Sequence, residues 1–257
     1  MSARVYSVFV ESKDSYSFWE KLWSTKLTPF HQKEVCPFLL KNSSNLNFAS
    51  PKRVFIPLCG KALELKWFYD QGFEVVGVEL ISIPVEEFFK EQNLSFKIRE
   101  LPWAKVYESS DQRIKIYVAD IFSVEPEEVG KFDVIWARAD YTIVKIAERE
   151  KYSKLMKQLC KEKFVYFYAL YSLRFLLVDM ILLPDHFHTK KQENYMVSYK
   201  NNKHIIIIIY KSFDKLSQCD WCKVDLIEEE DGLKYYPQFK SSGIDTVRQS
   251  CFILTPK

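Results

Sequence analysis

The sequence predicts an α/β fold built on a largely parallel sheet with both faces covered. Two observations carry that expectation. From Arg53 onward, short apolar runs alternate with segments of helical spacing, and strands alternating with helices are the mark of a parallel sheet wrapped by its crossovers. Glycine is the second: the 257-residue chain has six, and Gly60, Gly72 and Gly77 all fall between Val54 and Glu79. A backbone that spends half its glycines in one strand–helix–strand stretch is being brought close to something there.

The elements follow in order. "SFWEKLWSTKLTPFHQKEV" opens as a helix with Trp19 and Trp23 on one face, four residues apart. Thr28, Pro29 and Phe30 end that periodicity, a new helical pattern begins at His31, and "KNSSNLNFASPKR" is a polar loop. "RVFIPL" reads as a strand, "KALELKWFYDQ" as a helix with apolar residues at 62, 65, 68 and 69, and "FEVVGVEL" as a second buried strand. "PVEEFFKEQNL" is a second helix, with Pro84 in its first turn.

After an irregular stretch around Trp103, "RIKIYVADIF" is a strand that turns at Asp120, and "KFDVIWARAD" is a strand ending near Trp136. "AEREKYSKLMKQLCKE" is amphipathic, with Ile146, Tyr152, Leu155, Met156 and Leu159 inward, and "KFVYFYALYS" is an apolar strand. "WCKVDLIEEE" and "VRQSCFILTPK" form a closing pair of strands. Between them and Ser172 no firm pattern emerges, and Asn194–Phe213 is biased toward Asn, Lys, Ile and Tyr. The chain is expected to be one domain, with residues 1–50 as a helical N-terminal lid and 172–213 as an atypical or inserted segment.

Composition narrows the function. Hydrophobic residues make up 47% and aromatics 16%, ample for a large core, and the formal charge is only +3 from interspersed charges, with no basic block to track nucleic acid. No apolar run reaches the ~18 residues of a membrane span, since "FLLVDMILLP" is broken by Asp179. Six scattered cysteines and no apolar leader at "MSARVYSVFVESKD" point to free thiols in the cytoplasm.

A strand, a glycine turn, a helix and a second strand ending in an acid is the arrangement that holds an adenosine. Glu79 lies 19 residues after Gly60, the spacing at which an acid accepts from ribose hydroxyls. The turn "PLCGK" has a single glycine, which suits a phosphate-free cofactor better than a dinucleotide pyrophosphate. S-adenosyl-L-methionine is therefore favoured over NAD. Asp120, at the end of the next strand, is placed to accept the adenine amino group, and Ile121 to pack on the ring. Gly72 reads as a helix C-cap and Gly77 as a close-packing position within a strand.

These residues resemble the thiopurine S-methyltransferase family. The resemblance rests on Trp19 and Trp23 followed by "TPFHQ", on "RVFIPLCGKALELKWFYDQGFEVVGVEL", "EEFFKEQNLSF", "DIF", "GKFDVIWARA" and "SSGIDTVRQSCFILT". It implies a class I methyltransferase fold, Rossmann-like, with a seven-stranded, mostly parallel sheet, and methyl transfer from S-adenosylmethionine to the sulfur of an aromatic or heterocyclic thiol. It also implies that Trp19, Trp23 and Phe30 close over the cofactor, with Phe30 reaching the substrate as well. Leu58 and Gly60 would line the cofactor's tail, Glu79 would hold the ribose and Asp120 with Ile121 the adenine. Arg138 would stand near both cofactor and substrate, as the candidate catalytic group. A monomer acting on a small molecule is expected.

Three departures from the family pattern stand out: Trp136-Ala137-Arg138-Ala139 in place of W-D-R-G, Gln238 in place of an arginine, and "YSLRFLLVDMILLP" in place of a G-P-P loop. They leave a catalytically silent cofactor-binding homologue as the alternative. Other motifs read blandly. "CDWC" with His186 and His188 lacks a second matching pair for zinc, so no metal is expected, and Cys59 has no base beside it and reads as a small buried side chain.

Overall fold

The computed structural model describes residues 14–47, 52–175, 220–234 and 244–257. Nine strands lie within them: β1 (Arg53–Ile56), β2 (Glu74–Glu79), β3 (Phe96–Glu100), β4 (Lys105–Ser109), β5 (Ile114–Val118), β6 (Phe132–Arg138), β7 (Cys160–Phe175), β8 (Cys222–Asp231) and β9 (Ile244–Pro256). They form one sheet in the order β3-β4-β5-β2-β1-β6-β7-β9-β8. The central run β5-β2-β1-β6-β7 is parallel throughout. β3 and β4 at one edge, and β9 and β8 at the other, pair antiparallel.

Seven of the nine, from β5 to β8, account for the seven-stranded sheet expected; the β3–β4 pair extends it. That pair sits where the sequence shows only an irregular stretch around Trp103. All five residues of β3 are exposed, so "FKIRE" presents no buried face to betray it. Leu101 N–H donates to Ala104 O at 2.8 Å to close the turn, and Trp103 stacks on Tyr117 of β5 at 5.2 Å.

Alternation along the strands divides the core into two layers. Val76 and Val78 of β2, Ile135 and Ala137 of β6, and Tyr166 and Tyr168 of β7 pack on one face with α7 (Arg149–Leu159). Val75, Val134, Trp136 and Phe167 face the other, against α2 (Pro37–Lys41), α3 (Leu63–Asp70) and α4 (Ser82–Glu91). α7 buries Tyr152, Leu155, Met156 and Leu159, as its periodicity requires. α1 (Ser15–Ser24) is capped by Asp14, whose carboxylate accepts from Ser17 N–H. Two short helices, α5 (Pro126–Val129) and α6 (Asp140–Ile143), flank β6.

The helical pattern expected from His31 begins only at Pro37. Proline disfavours helix in the residue before it and suits the first helical position, and Cys36 is extended at φ −56, ψ 123. Gly72 has φ +80 just past the end of α3, and Gly77 has no room for a side chain, since a Cβ there would lie 2.8 Å from Cys59 Sγ. Most of the 172–213 segment, together with Gln238, Cys219, His186 and His188, lies outside the described residues. Among the described residues no helix is long and apolar enough to cross a membrane.

Candidate active site

Four strand ends build the site. β1, β2, β5 and β6 are neighbours in the sheet and run in the same direction, so Gly60, Glu79, Asp120 and Arg138 all emerge at one end of it. Ligands of open α/β sheets bind there, outside the carboxyl ends of the strands.

The turn after β1 is left-handed twice, at Leu58 (φ +47) and Gly60 (φ +52). For leucine that conformation costs about 1 kcal/mol, so the surroundings must impose it. Cys59 N–H does so by donating to Val78 O at 2.9 Å, tying the turn to β2. Gly60 N–H donates to Glu79 Oε2 at 2.8 Å, and Ile81 N–H to Glu79 Oε1 at 3.1 Å. The Glu79 carboxyl is thus the pin between the two strand ends.

Burial pushes the Glu79 carboxyl above its ordinary range, while the N–H groups of Gly60, Ile81 and Leu80 pull it back. Each carboxylate oxygen carries a second lone pair beyond the one these bonds use. Ribose hydroxyls would meet an acceptor already fixed in place.

Asp120 sits at the end of β5, exposed, and its Oδ1 accepts from Phe122 N–H at 2.8 Å to cap a single 3-10 turn, Ile121–Ser123. Ile121 is buried at the base of that turn. Arg138 ends β6, in register with Ala169 of β7. By strand alternation its side chain leaves on the Trp136 face, toward the N-terminal segment.

That segment covers the turn. Trp19 and Trp23 each meet Phe30 edge-to-face, at 5.6 and 5.7 Å, around the buried Leu22. A Cβ on Gly60 would stand 3.0 Å from Trp23 Cζ2, so the indole lies directly on the turn. Glu87 of α4 pairs with both Lys26 of the covering segment and Lys61 of the turn.

Sequence reasoning passed over His31, Lys61, Glu87 and Asp140. His31 packs edge-on to Trp23 at 6.3 Å; burial, then the charges of Lys61 and Arg138, hold it down to about 4, so the imidazole is neutral. Its place beside Phe30 in "TPFHQ" was the available clue. Burial and the nearby Glu64 raise the Cys36 thiol against the pull of Arg138, and Cys36 N–H donates to the buried Glu64 at 3.0 Å. His31 and Cys36 therefore both feel the Arg138 charge. Cys59 is buried and its thiol pushed well up, which makes it a packing residue.

The residues fit S-adenosylmethionine on two structural counts. Gly60 lets the aromatic lid sit against the bare backbone of the turn, where a side chain would hold it off, and Glu79 offers a buried, pre-oriented acceptor one strand away. The turn has a single glycine, and its N–H is already given to Glu79, which suits a phosphate-free cofactor better than a pyrophosphate.

Comparison with known proteins agrees. The model of the Thiopurine S-methyltransferase (TPMT) family matches residues 15–174. The chain is 33% identical over 245 residues to thiopurine S-methyltransferase of Oryctolagus cuniculus, covering 93% of this chain and 89% of that protein. It is 39% identical to the Bos taurus enzyme of that name over 158 residues, 60% of this chain and 64% of the relative. Among solved structures, Burkholderia thailandensis 1,6-didemethyltoxoflavin-N1-methyltransferase with S-adenosylhomocysteine superposes with a TM-score of 0.59 at 10% identity, covering 100% of this chain and 91% of that one. Haemonchus contortus phosphoethanolamine N-methyltransferase 2, also with S-adenosylhomocysteine, gives 0.54 at 11% identity, covering 100% and 61%.

Proposed function

The chain belongs to the thiopurine S-methyltransferase family, and from that premise we propose that it methylates the sulfur of an aromatic or heterocyclic thiol. Its fold is that of S-adenosylmethionine-dependent methyltransferases and S-adenosyl-L-methionine is its cofactor. The observation that carries this reading is Trp23 lying on the Gly60 turn with Phe30, and through it Trp19, packed against it, and His31 within reach of the Arg138 charge.

When bound, the cofactor supplies an electrophilic methyl group on a sulfonium. The chain's residues have three tasks around it. Glu79 holds the ribose, with Asp120 and Ile121 at the adenine and Leu58 and Gly60 along the tail. Trp19, Trp23 and Phe30 close as a lid that excludes water and offers flat apolar walls to an aromatic acceptor. Arg138 supplies positive charge where the acceptor sulfur arrives, which favours thiolate over thiol; the displaced proton goes to solvent.

Neutral His31 fits this arrangement. A third cation beside Arg138 and Lys61 would be repelled, and an uncharged ring leaves the thiolate's attraction to Arg138 unshared. No dedicated base is needed, because aromatic thiols ionise near neutral pH; alignment of the acceptor sulfur supplies most of the rate. The same reading takes the 1–50 segment, of which the structure describes residues 14–47, as the lid of a single catalytic unit that works as a monomer.

The test is a calorimetric titration of the chain with S-adenosylhomocysteine, followed by incubation with S-adenosylmethionine and a panel of aromatic thiols, with methylated products identified by mass. Micromolar binding and S-methyl product are expected. Binding with no product from any thiol would leave a silent cofactor-binding protein, and product carrying the methyl on nitrogen or oxygen would replace the acceptor class.

A further inference from the structure

Asp140 opens α6 as a wholly buried residue, one position after the left-handed Ala139 (φ +60, ψ 7) and two after Arg138. Tyr152 Oη donates to its Oδ2 at 2.5 Å. Its Oδ1 and the hydroxyl of Tyr168, both buried, have no hydrogen-bond partner among the described residues. A carboxylate in such a place is costly to bury even with Tyr152 and the N–H groups of Tyr141 and Asp140 acting on it. Its position has to return something.

Asp140 cannot return it by touching a ligand. It sits among Tyr152 and Arg149 of α7, Tyr166 and Tyr168 of β7 and Tyr141 of α6, all on the α7 side of the sheet. Arg138 departs on the opposite side, toward His31 and Cys36. The chain crosses between the two sides in the single residue Ala139, whose left-handed backbone an alanine does not favour. Three bonds hold that crossing: Ala139 N–H to Ala169 O at 3.0 Å, Val144 N–H to Asp140 O at 3.0 Å, and the Asp140–Tyr152 bond. The last is made by the Asp140 side chain itself, and Arg149 Nε adds a bond to Val144 O at 3.3 Å further along the turn.

We propose that Asp140 is a positioning residue: through its bond to Tyr152 it fixes the Ala139 crossing and so sets where the Arg138 guanidinium stands in the site. The inference rests on Arg138 being a site residue, and its readout does not require turnover. Burial raises the Asp140 carboxyl to about 6, with Tyr152, the N–H groups of Tyr141 and Asp140 and then the Arg149 charge opposing. The bond therefore changes character within an accessible pH range, whereas His31, which feels the Arg138 charge, changes near 4.

The test uses the full chain labelled with ¹⁵N-arginine, following the Arg138 Nε–Hε resonance, assigned by its loss in Arg138→Lys. In the wild type it should shift with a midpoint near pH 6. Asp140→Asn, which keeps an acceptor for Tyr152, should hold the resonance close to the wild-type position and abolish the titration. Asp140→Ala and Tyr152→Phe should displace it, and adding Ala139→Gly to Asp140→Ala should bring it back, since glycine holds the left-handed turn unaided.

If thiol methylation is observed, Asp140→Ala should lower kcat/KM for the thiol by up to about a hundredfold while S-adenosylhomocysteine affinity stays within about twofold. An Arg138 resonance indifferent to Tyr152→Phe, or a pH 6 titration that survives Asp140→Asn, overturns the proposal, and both variants serve even if Asp140→Ala fails to fold. A wild type that methylates no thiol but shows the full Arg138 response overturns the proposed activity and leaves the positioning role standing.

Discussion

The indole of Trp23 rests against the bare Cα of Gly60: a Cβ added there would come within 3.0 Å of Cζ2 and 3.4 Å of Cη2. Lid and cofactor turn are therefore fitted to each other through the absence of a side chain. Gly72 separates the two costs of filling such a place, because its φ is +80 but nothing lies within 4 Å of its Cβ position. Gly72→Ala should lose only the backbone preference, about 1 kcal/mol, in urea unfolding. Gly60→Ala should lose more and should weaken S-adenosylhomocysteine binding as well. Equal losses, with binding untouched in both, would remove Trp23 from the cofactor site.

Glu79 makes the second prediction. Its two oxygens take N–H groups from two different strand ends, Gly60 and Ile81. A glutamine fits the space but must point its amide NH2 at one of those donors. Glu79→Gln should therefore cost about 1–3 kcal/mol of cofactor affinity, read by calorimetry with S-adenosylhomocysteine. Affinity unchanged from wild type would mean that the ribose is held elsewhere.

Much of this site could be read from residue order, and the reason is local. Glu79 and Arg138 end strands rich in apolar residues and Gly60 and Asp120 lie in the turns just beyond two others, so finding the strands locates the residues. His31, Glu87 and Asp140 escaped because their roles depend on what lies across from them. Glu87 joins Lys26 to Lys61 only after α1 and α4 have packed, and Asp140 meets Tyr152 only across the turn that follows β6. β3 escaped for another reason: an edge strand exposed along its whole length carries no burial pattern.

Stability against pH should carry two opposed slopes. The Asp140 carboxyl is near 6 folded against about 3.9 unfolded. Between those values the folded state binds more protons, so stability falls as pH rises, by roughly 3 kcal/mol at most across the window. His31 is near 4 folded against about 6.5 unfolded. There the unfolded state binds more protons, and stability rises with pH. The wild type should show the two partly cancelling from about pH 4 to about pH 6. Urea unfolding across that range should rise with pH in Asp140→Asn and fall in His31→Gln. Parallel profiles in both variants would mean that neither group is held as described.

Arg138 decides whether the mouth of the site acts on the acceptor or on the cofactor. Its charge reaches His31 and Cys36, on the covering segment, and on the proposed reading it stands on the acceptor side of the pocket. Arg138→Ala should then leave S-adenosylhomocysteine affinity nearly intact while lowering turnover of an aromatic thiol by about 10- to 100-fold at neutral pH, the worth of one charge favouring thiolate. Because the lost effect is on ionisation, a more acidic thiol should recover much of the rate and a more basic one should lose more. A uniform loss across thiols of different acidity, or an equal loss of cofactor affinity, would move Arg138 from the acceptor to the cofactor.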